Sequence, residues 1–280
     1  MVPEIKYPFP VRMAPLILLF VLALYIIFKK PKYQFKCFLL TLPDQKTRQK
    51  KFFASHDSSV PIEVIYGKNT KDIATAREFE DKVHPKYFKK CMEISYNKKM
   101  LRPDITYFNC GAIGCYFGHM EFYERCKDQG LKYAVIFEDN CVVKSSELYR
   151  QIQDVIDKKG DTFEMCFFHC WARLPYYERN FAEGGIERVK WISSTKCYLI
   201  NVPNMQNYIK HLLPMDNHID MKMEDLIAKG ARVFYRNLQD YLHIDTNGPS
   251  TIGHAGHGNR EFFSRQNPKF TSADLKWGGP

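Results

Sequence analysis

Residues 111–119, GAIGCYFGH, begin a segment in which apolar side chains recur every three or four residues up to about Asp128, and residues 133–140, YAVIFEDN, follow it. The first pattern predicts a helix, and the near-continuous apolar run predicts a buried strand that ends at Glu138, Asp139 and Asn140. A helix followed at once by a fully buried strand is typical of α/β proteins with a parallel sheet. This pair of elements therefore predicts an α/β fold with a mostly parallel central sheet.

The rest of the chain predicts further elements of the same kind. Apolar runs predict strands at residues 35–42, 60–66, 163–168, 190–192, 196–200 and 232–235. Helices are predicted at residues 44–56, 146–159, 202–213 and 220–229, and in the charged stretch 68–108, where Pro85 and Pro103 interrupt them. The tail from Asn247 is rich in Gly, His and Asn, which predicts surface loops.

Composition excludes several classes of protein. The 280 residues are 45% hydrophobic and 26% charged, which is inconsistent with a collagen-like, low-complexity or wholly disordered chain. The nine cysteines are odd in number and include no C-x-x-C pair, which favours reduced thiols in the core. The formal net charge is +10, but the basic residues are not clustered with aromatic ones, so no nucleic acid is expected as a partner.

An uncharged apolar segment near the amino terminus predicts a membrane anchor. Residues 13–28 carry no charge and are followed by Lys29 and Lys30. A signal anchor is favoured because no small residues mark a cleavage site and the segment has no polar face. A cleaved signal peptide and a buried core helix are the alternatives.

The predicted organisation follows from this anchor. It comprises a tail at residues 1–12, a transmembrane segment at 13–28, a basic linker at 29–34, a catalytic domain at 35–250 and a tail at 251–280. Such a chain is a single-pass protein of an ER/Golgi-type or other intracellular membrane. The lysines after the span favour a cytosolic carboxyl-terminal domain, although single-pass enzymes commonly face the lumen.

The acidic end of the central strand is the candidate site. Ligands of open α/β sheets bind beyond the carboxyl ends of the strands. Three adjacent oxygen-bearing side chains at residues 138–140 are costly there unless they are solvated, paired or bound to a metal. Such oxygens suit hard cations such as Mg²⁺ or Mn²⁺, and a solvated turn is the alternative.

The helix and strand motifs together resemble glycosyltransferase family 25, in which a G-E-I-G-C-x-x-S-H helix precedes an L-I-L-E-D-D strand end. The matching positions are Gly111, Ile113, Gly114, Cys115 and His119 in the helix and Glu138 and Asp139 at the strand end. Weaker similarities extend the resemblance over about residues 35–250; they lie at residues 40–42 with Arg48, 65–67, 195–200 and 214–216. The chain departs from the family pattern at Thr41, Ala112, Gly118 and Asn140, the last in place of an Asp.

The resemblance implies a Rossmann-like glycosyltransferase domain of the GT-A type. Such an enzyme moves a hexose, galactose or glucose, from a UDP-sugar to a glycan or protein hydroxyl with inversion, assisted by Mn²⁺ or Mg²⁺. Its metal ligands would be Asp139, Asn140 and His243, and its candidate general bases Asp216 and Asp220, followed by Glu224 and Asp225. Its donor-binding residues would be Thr41, Leu42, Arg48, Gly67, Gly111, Gly114, His119 and Glu138.

The neutral Asn140 leaves an alternative function open. An amide oxygen binds a cation without contributing charge, so metal affinity is expected to fall. A catalytically degenerate member that acts as a nucleotide-sugar or glycan binding protein, or as a scaffold, is therefore the alternative to an active transferase.

Overall fold

The computed structural model of the chain describes residues 33–96, 109–169, 185–190, 192 and 194–246. The predicted anchor at residues 13–28, the helix break at Pro103 and the predicted tail at 251–280 lie outside these residues. Within them, no helix combines the length and the apolar character that a membrane span requires.

The described segments contain helices and strands that alternate along most of the chain. The α-helices are α1 (Lys46–Ser55), α2 (Ile73–Arg77), α3 (Pro85–Tyr96), α4 (Cys110–Asp128), α5 (Glu147–Lys159), α6 (Val202–Ile209) and α7 (Ile219–Ala228). The strands are β1 (Phe35–Thr41), β2 (Ile62–Tyr66), β3 (Tyr133–Glu138), β4 (Cys141–Val143), β5 (Met165–Phe167), β6 (Glu187–Arg188), β7 (Cys197–Asn201), β8 (Val233–Tyr235) and β9 (Leu242–Ile244). Short 3₁₀ helices occupy Glu80–Lys82 and Lys210–Leu212.

The central sheet is mixed, so the prediction of a mostly parallel sheet is wrong. Its strand order is β2-β1-β3-β7-β5-β8-β6. The β1–β2, β1–β3 and β5–β8 pairs are parallel, whereas the β3–β7, β5–β7 and β6–β8 pairs are antiparallel. A short buried apolar run has the same pattern in either direction, so the sequence pattern did not reveal that β7 is reversed.

Most predicted elements are confirmed within a few residues. The helix that opens the family motif is α4, and it begins where Asn109 accepts a hydrogen bond from the backbone N–H of Ala112 at 2.8 Å. The strand predicted at residues 190–192 is displaced, because the chain pairs with β8 earlier, through Glu187–Arg188. Strands β4 and β9, which were not predicted, form a separate two-stranded sheet.

Side chains that alternate along β1 and β3 divide the core into two layers. Phe38 and Leu40 of β1 pack on the face covered by α4, whereas Cys37 and Leu39 pack on the face covered by α1 and α5. Strand β3 alternates in the same way. The eight cysteines at described positions are free thiols, seven of them buried.

Candidate functional site

A cleft opens where the carboxyl ends of β1, β2 and β3 meet the first turns of α4. It encloses about 500 Å³ of empty space, part of it open to solvent. The residues around it are Leu40, Thr41, Leu42, Gly67, Lys68, Asn69, Thr70, Gly111, Gly114, Cys115, Glu138 and Asp139. The fold thus gathers much of the predicted donor site in one place, together with the loop 68–70, which the sequence pattern did not single out.

Glycine at position 114 holds one wall of the cleft. A Cβ there would lie 2.4 Å from the carbonyl oxygen of Lys68 and 2.6 Å from Thr70 Oγ1, so no larger residue fits without displacing the loop. The Thr70 hydroxyl accepts a hydrogen bond from the Gly114 N–H at 2.8 Å and donates one to the Cys110 carbonyl at 2.5 Å. These contacts join the loop after β2 to the start of α4.

Position 118 is less restricted than position 114. A Cβ at Gly118 would lie 2.7 Å from Leu40 Cδ1, which is the end of a side chain that can shift, and not from backbone.

Asp139 faces α1, on the same side of the sheet as Thr41. Its Oδ2 accepts a hydrogen bond from the Thr41 hydroxyl at 2.7 Å, and its Oδ1 lies 3.1 Å from the Arg48 guanidinium. Burial raises the pKa of Asp139 above its usual value, although Thr41 and Arg48 act in the opposite direction. The carboxylate is therefore held at this position at a net electrostatic penalty, which is common at functional sites.

Glu138 faces the opposite layer, toward α4. Its Oε2 lies 2.5 Å from the Lys196 ammonium, and its Oε1 accepts a hydrogen bond from the Thr195 hydroxyl at 3.0 Å. Burial alone would raise the pKa of Glu138, but Lys196 and His119 lower it far below its usual value. The sequence pattern did not point to Lys196, because the lysine reaches Glu138 only when β7 runs antiparallel beside β3.

His119 supports Glu138 from α4. It is fully buried; its Nδ1 shares a hydrogen bond of 2.9 Å with the Tyr198 hydroxyl, which in turn lies 2.9 Å from the Tyr123 hydroxyl. The other ring nitrogen, Nε2, lies 3.7 Å from Glu138 Oε1. His119 does not line the cleft itself.

A second, unpredicted group of possible metal ligands lies at the same strand end. The ligand atoms of Cys115, His119 and Glu138 all lie within 4.8 Å of one another. Lys196 already holds the Glu138 carboxylate, and its positive charge opposes a cation at this position.

The structure does not bring the predicted metal ligands together as an anionic cluster. Asp139 is ion-paired with Arg48, and His243 is exposed on β9, where it stands opposite Val142 of β4. The Oδ1 of Asn140 is buried and has no hydrogen-bond partner in the described part of the chain, but this oxygen is neutral. Because hard divalent cations prefer charged oxygen ligands, this donor set does not fit Mn²⁺ or Mg²⁺.

The two predicted bases have different surroundings. Asp216 lies 2.7 Å from the ammonium of the buried Lys222, which also lies 3.2 Å from Asp225. Asp220 accepts a hydrogen bond from the backbone N–H of Ser194 at 3.3 Å. Asp216 is therefore held in an ion pair, whereas Asp220 lies against the segment that leads into β7 and Lys196.

Two further titratable groups near Asp220 have strongly shifted pKa values. Burial and the neighbouring Asp225 and Asp220 raise the pKa of Glu224 to about 7. Burial and Lys196 lower the pKa of His169 to about 4, and its Nδ1 lies 3.2 Å from Ser194 Oγ. A carboxylate whose pKa is about 7 can act as a base near neutral pH.

The match to a protein family agrees with the sequence motifs. Residues 34–223 match the family described as "Glycosyltransferase family 25 (LPS biosynthesis protein)". No curated protein sequence matches the chain. Among solved structures, the apo crystal structure of mouse xyloside xylosyltransferase 1 aligns with a TM-score of 0.36 and 9% identity, covering 64% of this chain and 71% of that one.

Proposed function

Because the chain belongs to glycosyltransferase family 25, we propose that it transfers a hexose, galactose or glucose, from a UDP-sugar to a hydroxyl group of a glycan or a protein, with inversion at the transferred carbon. The observation that carries this proposal is the cleft at the ends of β1, β2 and β3. In α/β sheets, ligands bind at this edge. The domain is proposed to be of the GT-A type, with the nucleotide in this cleft.

The leaving diphosphate requires positive charge. Negative charge develops on it as the bond to the sugar breaks, and groups positioned for that charge lower the barrier. Arg48 lies at the strand end, beside Asp139, and Lys68 lines the cleft. We assign diphosphate binding to Arg48, with Thr41 and the loop 68–70 shaping the nucleotide pocket.

Inversion in a single displacement requires a general base for the acceptor hydroxyl. A base is most effective when its pKa lies near the working pH, and the pKa of Glu224 is about 7. Asp220 lies four residues earlier on α7 and therefore on the same helix face. We propose Glu224 as the base with Asp220 beside it, in preference to Asp216, whose carboxylate is paired with Lys222.

Residues 13–28 are proposed to anchor the enzyme in an ER/Golgi-type or other intracellular membrane. The sixteen uncharged residues and the lysines that follow support this proposal. The acceptor would then be a glycan or a protein at the membrane surface.

A screen of nucleotide sugars tests the function. The full chain is incubated with UDP-galactose, UDP-glucose and other nucleotide sugars, and release of UDP, GDP or CMP is measured. Release of UDP that is lost in Glu224→Gln, with Arg150→Ala on the opposite layer as control, is the expected result. Nucleotide binding without turnover would instead support the binding or scaffold alternative.

A further inference from the structure

We propose that this chain binds the donor diphosphate without a divalent cation, because both strand-end carboxylates are already paired with basic side chains and one of these, the Arg48 guanidinium, is held where it can bind phosphate oxygens. The inference rests on the proposed use of a UDP-sugar.

The charges at the strand end are already paired. Each of its two carboxylates is already paired with a basic side chain: Asp139 with Arg48 at 3.1 Å and Glu138 with Lys196 at 2.5 Å. Both acids and both bases are largely buried, so solvent screens these pairs little. A divalent cation that used these carboxylates would have to displace or repel two positive side chains.

The other predicted metal ligands add no charge at the strand end. Asn140 supplies a neutral oxygen, and its backbone carbonyl accepts a hydrogen bond of 2.8 Å from Asp245. His243 is exposed on β9. The remaining cluster of Cys115, His119 and Glu138 shares its only carboxylate with Lys196. Among the described residues, the strand end therefore lacks an unpaired carboxylate for a hard cation.

The Asp139 carboxylate positions a basic side chain. A carboxylate at a diphosphate site would repel the phosphates unless a cation lies between them. In this chain Asp139 fixes the Arg48 guanidinium, which has a geometry that suits phosphate oxygens. The Thr41 hydroxyl holds the other oxygen of Asp139, so the orientation of the ion pair is set from both sides. Lys71 adds charge nearby, since it lies close enough to Arg48 for mutual repulsion.

Calorimetry on the full chain tests the inference. UDP is titrated in EDTA, in Mn²⁺ and in Mg²⁺, and the three dissociation constants are expected to agree within about twofold. UDP binding that is about tenfold or more tighter with either metal would overturn the inference and leave the proposed function intact. Absence of UDP binding under all three conditions would overturn the proposed function together with the inference.

Variants identify the source of the positive charge. In EDTA, Arg48→Ala is expected to weaken UDP binding by about tenfold or more, whereas Arg48→Lys, which keeps the charge, loses less. Arg150→Ala, on α5, is the matched control and is expected to bind like the unmodified chain. Unchanged affinity in Arg48→Ala would contradict the role given to Arg48, and the comparison of EDTA with metal decides the inference even if that variant does not fold.

Discussion

Glu138 and Asp139 are adjacent in the sequence, and removing the charge of each is expected to affect stability very differently. Glu138→Gln removes the counter-charge of the buried Lys196, with which it is paired at 2.5 Å. Breaking a buried ion pair from one side costs about 3–5 kcal/mol, because the other charge stays buried. Asp139→Asn removes a carboxylate whose pKa burial has raised, so a penalty disappears together with the contacts to Thr41 and Arg48. Arg48 is then left buried without this counter-charge, so a loss of stability is still expected, but a smaller one of about 1–3 kcal/mol, because the desolvation penalty of the Asp139 carboxylate is removed with it.

Urea denaturation at pH 7, followed by circular dichroism, measures both variants. With a denaturant slope of about 3 kcal/mol per molar urea, Glu138→Gln lowers the midpoint by roughly 1–2 M, and Asp139→Asn by roughly 0.3–1 M. The difference between the two losses follows from the surroundings of the carboxylates, since Glu138 faces α4 and pairs with Lys196, whereas Asp139 faces α1 and pairs with Arg48. An equal loss in the two variants, or a larger loss in Asp139→Asn, would refute the separation into a structural Glu138 and a functional Asp139.

Three further predictions concern the cleft, the proposed base and the pH dependence of stability. Gly114→Ala is expected to lower the free energy of unfolding by about 1–3 kcal/mol in the same urea assay, because the added Cβ meets the Lys68 carbonyl. The control Gly67→Ala, whose Cβ has its nearest contact at 3.7 Å, is expected to change it by less than about 1 kcal/mol, and equal losses in the two variants would contradict this. If Glu224 is the base, kcat/KM for UDP-sugar turnover rises with pH near a pKa of about 7, and Glu224→Gln removes this rise. A rise that persists in the variant would exclude Glu224 as the general base. Folding lowers the pKa of His169 from 6.5 to about 4, so between these pH values the unfolded chain binds more protons than the folded chain. The free energy of unfolding therefore falls as the pH drops through this interval. His169→Asn should weaken that fall, and an unchanged pH profile of stability in the variant would contradict the assignment.

The local structure of the site could be predicted from sequence because it depends on the two-residue period of strands. Thr41 and Asp139 lie on one side of the sheet and Glu138 on the other, as alternation along β1 and β3 requires. The periodic spacing of α4 and its amino-terminal glycines placed Gly114 at the same edge. The alternation within each strand needs only neighbouring residues along the chain, whereas the contact of Thr41 with Asp139 also needs the parallel pairing of β1 with β3.

The partners of the carboxylates depended on strand direction, which the sequence pattern does not contain. Lys196 precedes an apolar run that fits a parallel or an antiparallel strand equally well. Only the antiparallel pairing of Phe137 with Cys197 brings the preceding lysine beside Glu138. His243 was placed after the last predicted strand, and the β4–β9 pair that carries it was not predicted.

A crystal structure of the full chain with UDP tests the central claim most directly. The diphosphate is expected in the cleft at the ends of β1, β2 and β3, with a phosphate oxygen within hydrogen-bonding distance of the Arg48 guanidinium and with Asp139 still paired with that guanidinium. A nucleotide bound elsewhere on the chain, or phosphates that face away from Arg48, would contradict it.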